Sequence, residues 1–130
     1  MLENSKAYSG FAVDDTETAR RFYGETLGLD VSVLDEENGL LSLHLAGDRE
    51  TLVYRKPDFA PAAYTILNFP VDDIDQAVDE LAARGVEFER YEGFEQDEKG
   101  IVRGISQGRG PDIVWFKDPA GNILSVLQEH

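Results

Sequence analysis

The stretch Phe11-Ala12-Val13-Asp14-Asp15 returns 58 residues later (69 − 11) as Phe69-Pro70-Val71-Asp72-Asp73. Each copy leads into a stretch with helical spacing of its apolar residues. After the helix the offset becomes 57 (85 − 28), where Gly28-Leu29-Asp30-Val31 meets Gly85-Val86-Glu87-Phe88. A 130-residue chain that carries the same strand–helix–strand unit twice is a duplicated module.

The first copy predicts the order β-α-β-β-β. Asp14 or Asp15 is expected to cap a helix with one buried stripe that runs from Ala19 to Leu27, and Gly28 is expected to end it. Asn38-Gly39 is a strong signal for a hairpin turn. The predicted strands are 6–13, 29–34, 40–45 and 51–55.

The second copy predicts the same order. Asp73 is expected to cap its helix, with Gln76 at the capping-box position and Gly85 at the end. Residues 93–110 form a long polar, glycine-rich loop of the kind that often borders a functional site. The predicted strands are 64–71, 86–91, 112–117 and 123–127. We expect a single domain over residues 1–130, with modules at 6–56 and 64–128 and a linker at 57–63.

Composition and charge narrow the classes of partner. The chain is 42% hydrophobic and 29% charged, has no cysteine, and carries a net charge of −14. So much negative charge repels phosphate backbones and anionic lipid surfaces, which argues against nucleic acid and membrane partners. No signal-peptide pattern or membrane-spanning apolar run is present, so we expect a cytoplasmic protein. The absence of cysteine excludes disulfides and thiolate sites.

Several of these motifs together resemble the vicinal oxygen chelate superfamily, which contains glyoxalases, bleomycin resistance proteins and extradiol dioxygenases. They are Val13-Asp14-Asp15 with Phe22-Tyr23 and Leu27-Gly28-Leu29, the echo of that motif at Val71-Asp72-Asp73, and the turn Asp118-Pro119-Ala120-Gly121-Asn122. The resemblance implies an α+β fold in which two tandem βαβββ modules form a curved mixed sheet around a central cup. It also implies frequent assembly as a homodimer.

Catalytic members of this superfamily hold one divalent metal ion in the cup through His, Glu or Gln. The resemblance places those ligand positions at Tyr8, Val53, Ile66 and Ser125, with Leu52 and Tyr54 as register alternatives to Val53. None of these residues supplies an imidazole or a carboxylate, which divalent ions prefer. We therefore predict no metal site of the glyoxalase or dioxygenase type, and no cofactor.

Several side chains are candidates for the lining of the cup. His44 lies opposite the leucine face of its strand, where it is either a base or donor toward a ligand or an ordinary half-exposed histidine. Trp115 is either a stacking platform for a ligand or a core or interface residue. The full candidate set is Tyr8, His44, Val53, Ile66, Asn68, Trp115 and Ser125.

The favoured function is metal-independent binding of a small apolar or aromatic metabolite or drug, of the resistance or sequestration type. An alternative is an enzyme of this superfamily (a lyase, isomerase or dioxygenase) with a metal at other positions, or with acid/base chemistry through His44 and Tyr8. A third reading is a scaffold with a filled cup. The expected partners are a small-molecule ligand and a second copy of the chain.

Overall fold

The computed structural model describes residues 1–129, and the chain divides into two compact units, Met1–Ala60 and Pro61–His130. Each unit contains one four-stranded mixed sheet and one main helix. The α+β class expected from the sequence is confirmed, and the βαβββ order holds in both units.

The first unit has the strand order β1-β4-β3-β2. β1 runs parallel to β4, and the other neighbours are antiparallel. Its elements are β1 Ser9–Val13, α1 Thr16–Arg21, a π-helical segment Phe22–Thr26, β2 Asp30–Asp35, β3 Leu40–Leu45 and β4 Arg49–Arg55.

The helical segment that follows β1 begins and ends near the residues that the sequence predicts, but its second half is π-helical rather than α-helical. Asp15, rather than Asp14, is the cap, and its carboxylate accepts the backbone N–H groups of Glu17 at 3.0 Å and Thr18 at 3.2 Å. The α-helix lasts only to Arg21. Beyond it the Leu27 N–H donates to the Phe22 carbonyl at 2.9 Å, which is an i to i+5 bond.

One face of the first sheet packs against this helix. The ring of Phe11 on β1 lies 5.6 Å from that of Tyr23. Because side chains alternate along a strand, the neighbours of Phe11 point to the opposite face, where Gly10 pairs with Leu52 and Leu52 with Ser42. The buried apolar residues of this unit are Phe11, Val13, Ala19, Tyr23, Leu41, Leu43 and Val53.

The second unit has the order β5-β8-β7-β6, again with one parallel pair, β5 and β8. Its buried apolar residues are Ile74, Val78, Ile101, Val114, Phe116, Leu124 and Val126. Its elements are β5 Thr65–Pro70, α2 Ile74–Ala83, β6 Val102–Arg103, a 3₁₀ turn Ile105–Gln107, β7 Asp112–Lys117 and β8 Ile123–Gln128.

Helix α2 is capped as predicted. The Asp73 carboxylate accepts the Gln76 N–H at 3.1 Å, and Gly85 follows the helix with a φ of 89°, which a residue with a Cβ rarely adopts. The first turn is also tied to the sheet, because the Ile74 N–H donates to the side-chain oxygen of Gln128 at 2.9 Å. This bond ties the start of α2 to the end of β8.

The predicted strand at 86–91 is wrong. Only Phe88 makes a strand-like bridge, to Phe116, and the Glu89 N–H donates to the Trp115 carbonyl at 2.8 Å. The fourth strand of the sheet is instead β6, which the sequence placed inside a loop. Ion pairs of Arg103 and burial of Ile101 hold that short strand in place, and a two-residue strand carries no periodicity to detect.

The turn between β7 and β8 closes on itself. The Asn122 N–H donates to the Asp118 carboxylate at 2.8 Å, and the Asp118 N–H donates to the Asn122 carbonyl at 2.9 Å. The Asn122 side-chain oxygen accepts the Ala62 N–H at 3.3 Å. The turn therefore ties the start of the second unit to the beginning of β8. No helix within residues 1–129 is long and apolar enough to cross a membrane.

Candidate functional site

Three of the candidate residues meet on the face of the second sheet that lies opposite α2. Ser125 pairs with Asn68 on one side and with Trp115 on the other. The fully buried Ser125 hydroxyl donates to the side-chain oxygen of Asn68 at 2.6 Å. This face therefore presents an indole beside a short polar pair.

Trp115 is the centre of an aromatic cluster that we call the Trp115 cluster, made of Trp115, Tyr91 and Phe94. The ring of Phe94 lies 5.2 Å from Trp115 and that of Tyr91 lies 5.5 Å from it, both tilted rather than stacked. Phe94 remains 53% exposed although it packs on the indole. An aromatic ring left half open on a rigid indole is a surface that a planar or apolar molecule can cover.

A cavity of about 330 Å³ opens beside Phe94. Its size falls at the lower end of the range for small-molecule pockets. Phe94 and Val102 form its apolar part, and Arg109 and Gln107 contribute polar groups. The remaining lining residues are Gly93, Glu95, Arg103 and Gly104.

The loop that carries this cavity is fixed by one arginine. The Arg103 guanidinium donates two bonds to Asp75 on α2, at 2.7 and 3.0 Å. Its Nε donates to Asp97 at 3.0 Å, and Nη1 lies 3.5 Å from Asp112. We call these four residues the Arg103 network. It joins α2, the loop and β7, so residues 93–110 are anchored rather than free.

Contacts within the Arg103 network shift the pKa values of Asp75, Asp97 and Arg103. The hydrogen bonds from Arg103, assisted by Lys99, lower the pKa of Asp75 to about 2. Burial raises the pKa of Asp97, but the hydrogen bonds from the Ile101 N–H and from Arg103 outweigh it, so the net shift is downward. The hydrogen bonds to Asp75 raise the pKa of Arg103 further. Asp75, Asp97 and Arg103 are therefore charged at neutral pH.

Tyr91 carries a buried hydroxyl with no hydrogen-bond partner among residues 1–129. Burial, followed by the charge of Glu89, raises the pKa of this phenol. The ring itself packs on Trp115. The hydroxyl is a neutral donor at physiological pH, held at the edge of the Trp115 cluster.

His44 lies in the first unit, on the sheet face opposite α1. Its Nε2 is 2.7 Å from the Ser32 hydroxyl oxygen, and its Nδ1 is 2.9 Å from a carboxylate oxygen of Glu50. The three residues come from three adjacent strands, β2, β3 and β4. His44 therefore has two polar partners that the sequence did not reveal.

The other candidates are placed apart from these groups. Val53 is fully buried and shares the helix-facing side of the first sheet with Phe11, whereas its register alternatives Leu52 and Tyr54 point to the opposite face. Tyr8 is exposed just before β1, and Ile66 sits at the register shift between Thr65 and Leu67. Of the seven candidates, Asn68, Trp115 and Ser125 are thus brought together.

A larger cavity of about 820 Å³ lies in the first unit, between α1 and the β2–β3 hairpin. Three of its five carboxylates already have local roles. Asp15 caps α1, Asp35 accepts the Asn38 N–H in the hairpin turn, and Glu17 pairs with Arg20. The cavity is therefore explained by helix capping and turn formation, and we do not assign it to a ligand.

The sequence of residues 7–126 matches the family described as the Glyoxalase/Bleomycin resistance protein/Dioxygenase superfamily. The chain belongs to this superfamily. The observed sheets and their order agree with its fold, and the resemblance drawn from the sequence is confirmed. No curated protein sequence matches the chain.

Solved structures similar to this superfamily member cover nearly its whole length. One is a superfamily member from Sphaerobacter thermophilus (25% identity, 96% of this chain and 98% of that chain, TM-score 0.69). Another is TnmS3, an antibiotic binding protein from Streptomyces sp. CB03234 (24% identity, 98% and 98%, TM-score 0.68). A third is the fosfomycin resistance protein FosX from Listeria monocytogenes (12% identity, 98% and 92%, TM-score 0.70). The last two show a likeness of fold alone.

The residues at the metal-ligand positions that the superfamily implies do not fit a divalent ion. Tyr8 and Ser125 offer a phenol and an alcohol, and Ile66 offers hydrocarbon. Val53 faces the helix, and its register alternatives Leu52 and Tyr54 offer hydrocarbon and a phenol. Ser125 already donates its hydroxyl to Asn68. Across residues 1–129, no group of three or more His, Cys, Asp or Glu side chains is arranged to hold a metal ion.

Sequence reasoning missed several residues that shape these sites. Phe94 and Tyr91 belong to the segment read as a strand end and a polar loop. The available signal for Phe94 was a single phenylalanine within a loop that is otherwise polar and glycine-rich. Ser32 could have been placed on the same face as His44 by extending the register of the Asn-Gly hairpin from β2 to β3. Glu50 could have been placed opposite His44 from the register of the turn between β3 and β4.

Proposed function

We propose that this protein binds a small organic molecule with an aromatic or apolar body, and that it holds this body against the Trp115 cluster without a divalent metal ion. The proposal places binding in the second unit, at the cavity beside Phe94. It is the resistance or sequestration type of function, in which a ligand is retained rather than converted.

The observation that supports this most strongly is the half-exposed ring of Phe94, which packs on Trp115 and also forms a wall of the cavity. A concave site with an aromatic wall beside polar groups that can orient a ligand is a common form of small-molecule pocket. The Arg103 network holds the loop that carries Phe94, so little ordering is needed when a ligand binds. An antibiotic binding protein and a fosfomycin resistance protein share the fold.

The polar side of the cavity favours an anionic or hydrogen-bonding group on the ligand. Arg109 is exposed at the cavity and has no ion pair among the described residues, and Gln107 adds an amide. Arg103 is occupied by three carboxylates and serves as a support. The best ligand is therefore an aromatic molecule with one acidic or strongly accepting group.

A fluorescence titration with the aromatic sulfonate ANS tests this proposal. Binding should enhance ANS fluorescence and quench Trp115, which is the only tryptophan in the chain. Phe94→Ala should weaken binding about fivefold, since an aromatic contact contributes about 1 kcal/mol. Arg109→Gln should weaken ANS binding while leaving an uncharged aromatic probe such as 1-naphthol unaffected.

Matched variants outside the cavity provide the controls. Tyr64→Ala removes another exposed aromatic ring of the same unit, and Arg49→Gln removes an exposed arginine of the first unit. Both should bind ANS like the unmodified protein. Equal affinities for Phe94→Ala and Tyr64→Ala would contradict a site at the cavity.

The metal-independent part has its own measurement. Protein purified without a histidine tag should contain no stoichiometric Zn, Ni, Mn or Fe by elemental analysis, and a chelator should leave ANS affinity unchanged. A ratio near one metal ion per chain would overturn this part of the proposal. The aromatic site would still be tested separately, by the ANS affinities of Phe94→Ala and Tyr64→Ala.

We also infer that the protein forms a homodimer. β2 is the terminal strand of its sheet and carries two consecutive exposed apolar residues, Val33 and Leu34. An open strand edge with apolar side chains is usually covered by a partner. Sedimentation equilibrium at micromolar concentration should give about twice the chain mass of 14.5 kDa. A monomer mass would refute the inference.

A further inference from the structure

We propose that Ser32, His44 and Glu50 form a nucleophilic serine site that transfers the acyl group of small uncharged esters to water. This site lies in the first unit, and it does not rest on the binding function proposed for the second.

The three residues are connected in the order that activates a serine. The Ser32 hydroxyl lies 2.7 Å from His44 Nε2, and His44 Nδ1 lies 2.9 Å from Glu50. A neutral imidazole that donates its Nδ1–H to the carboxylate keeps a lone pair on Nε2. That lone pair accepts the Ser32 hydroxyl proton, so nucleophile, base and orienting carboxylate form one chain of hydrogen bonds.

The sheet fixes these distances. His44 is directly opposite Glu50 across the β3–β4 ladder, and Ser32 lies on β2 two pairs further along, where it faces Ser42. Residues that are paired across strands share a face, so all three side chains project to the same side. The side chains of His44 and Glu50 are 34% and 59% exposed, which leaves the site open to a small substrate.

The reaction balances without any further co-reactant than water. Ser32 Oγ attacks the ester carbonyl carbon as its proton moves to His44 Nε2. The carbon–oxygen bond to the alcohol breaks, and the alcohol leaves with the proton from Nε2. Water then attacks the acyl-serine and gives its proton to Nε2. The carboxylic acid departs and Ser32 recovers its proton.

Local charge selects the kind of ester. Asp30 pairs with His44 from the other side, so the imidazole lies between two acidic residues, and the whole chain carries a net charge of −14. Anionic esters are repelled, and uncharged or cationic ones are accepted.

The direct test is labelling with a fluorophosphonate, which phosphonylates activated serines. Incubation of the full chain should yield one adduct per chain, and peptide mass spectrometry should place it on Ser32 rather than on Ser42. The protein should also hydrolyse p-nitrophenyl acetate above the buffer rate. An unlabelled chain, or a label spread over several serines, would overturn the proposal whatever the variants show.

Variants then assign the roles. Ser32→Ala should abolish labelling, and Ser42→Ala, a serine on the same face, should retain it. His44→Gln should slow labelling about 100-fold, because a general base contributes at least that much. Glu50→Gln should lower kcat for p-nitrophenyl acetate at least about tenfold and leave KM unchanged, since it weakens the hydrogen bond that orients the imidazole without touching the substrate. An unchanged kcat would deny Glu50 its positioning role.

Discussion

Replacement of Arg103 by glutamine should destabilise the second unit by about 2 kcal/mol. The substitution removes the one cation that faces three carboxylates. Asp97 and Asp112 are the main contributors, since their side chains are only 23% and 12% exposed and lose a charged partner. The Asp75 side chain is 46% exposed, so its part of the network adds about 0.5 kcal/mol after solvent screening.

Urea unfolding followed by Trp115 fluorescence measures this effect. The only tryptophan lies in the second unit and touches Phe94 of the anchored loop, so its signal reports this unit. With a slope of about 2 kcal/mol per molar urea, the midpoint should fall by about 1 M. Arg109→Gln removes a neighbouring arginine that has no ion pair within residues 1–129 and should shift the midpoint little. If the two variants unfold within about 0.5 kcal/mol of each other, the network reasoning is refuted.

Three further outcomes follow from the second unit. The pKa of Asp75 lies at about 2, below its usual 3.8, so the stabilisation from its carboxylate is complete above pH 3.8 and is lost as pH falls toward 2. Because the side chain is half exposed, the difference in unfolding free energy between the native chain and Asp75→Asn should be only about 1 kcal/mol at pH 6. Urea titrations should show that this difference disappears by pH 2. Tyr91→Phe removes a buried hydroxyl without a described partner and should raise the free energy of unfolding by up to about 1 kcal/mol, whereas a loss would reveal a partner. In Gly104→Ala the new Cβ would lie 2.4 Å from the Pro111 carbonyl oxygen, so calorimetry should show a destabilisation of about 1 to 3 kcal/mol, and an unchanged melting temperature would contradict the close approach.

Much of the fold follows from local signals in the sequence. The Asp73 cap, the glycines after both helices and the Asn38-Gly39 turn all lie where their chemistry predicts. These features depend on a few adjacent residues, so a sequence records them directly. The repeat then supplied the order of strands, because two copies of one unit fold in the same way.

The parts that failed depend on contacts between distant residues. The segment at 86–91 alternates like a strand, yet β6 takes the place in the sheet because Arg103 and Ile101 are held by tertiary contacts. The side of the sheet to which Val53 points depends on the strand register, and a shift of one residue would exchange it with Leu52. No local signal in the sequence distinguishes the two residues. Of the predicted lining residues, the structure therefore brings together only those whose strand parity was secure, Asn68, Trp115 and Ser125.

The π-helical segment at Phe22–Thr26 explains the one break in the internal repeat. From cap to glycine the first copy spans Asp15 to Gly28 and the second spans Asp73 to Gly85, so the first is longer by a single residue. An i to i+5 turn takes up one residue more than an α-turn. An insertion or deletion during divergence of the two halves was thus absorbed inside a helix, with no change in how the flanking strands are placed. Removal of one residue from this segment should give the first unit an uninterrupted α-helix like that of the second unit.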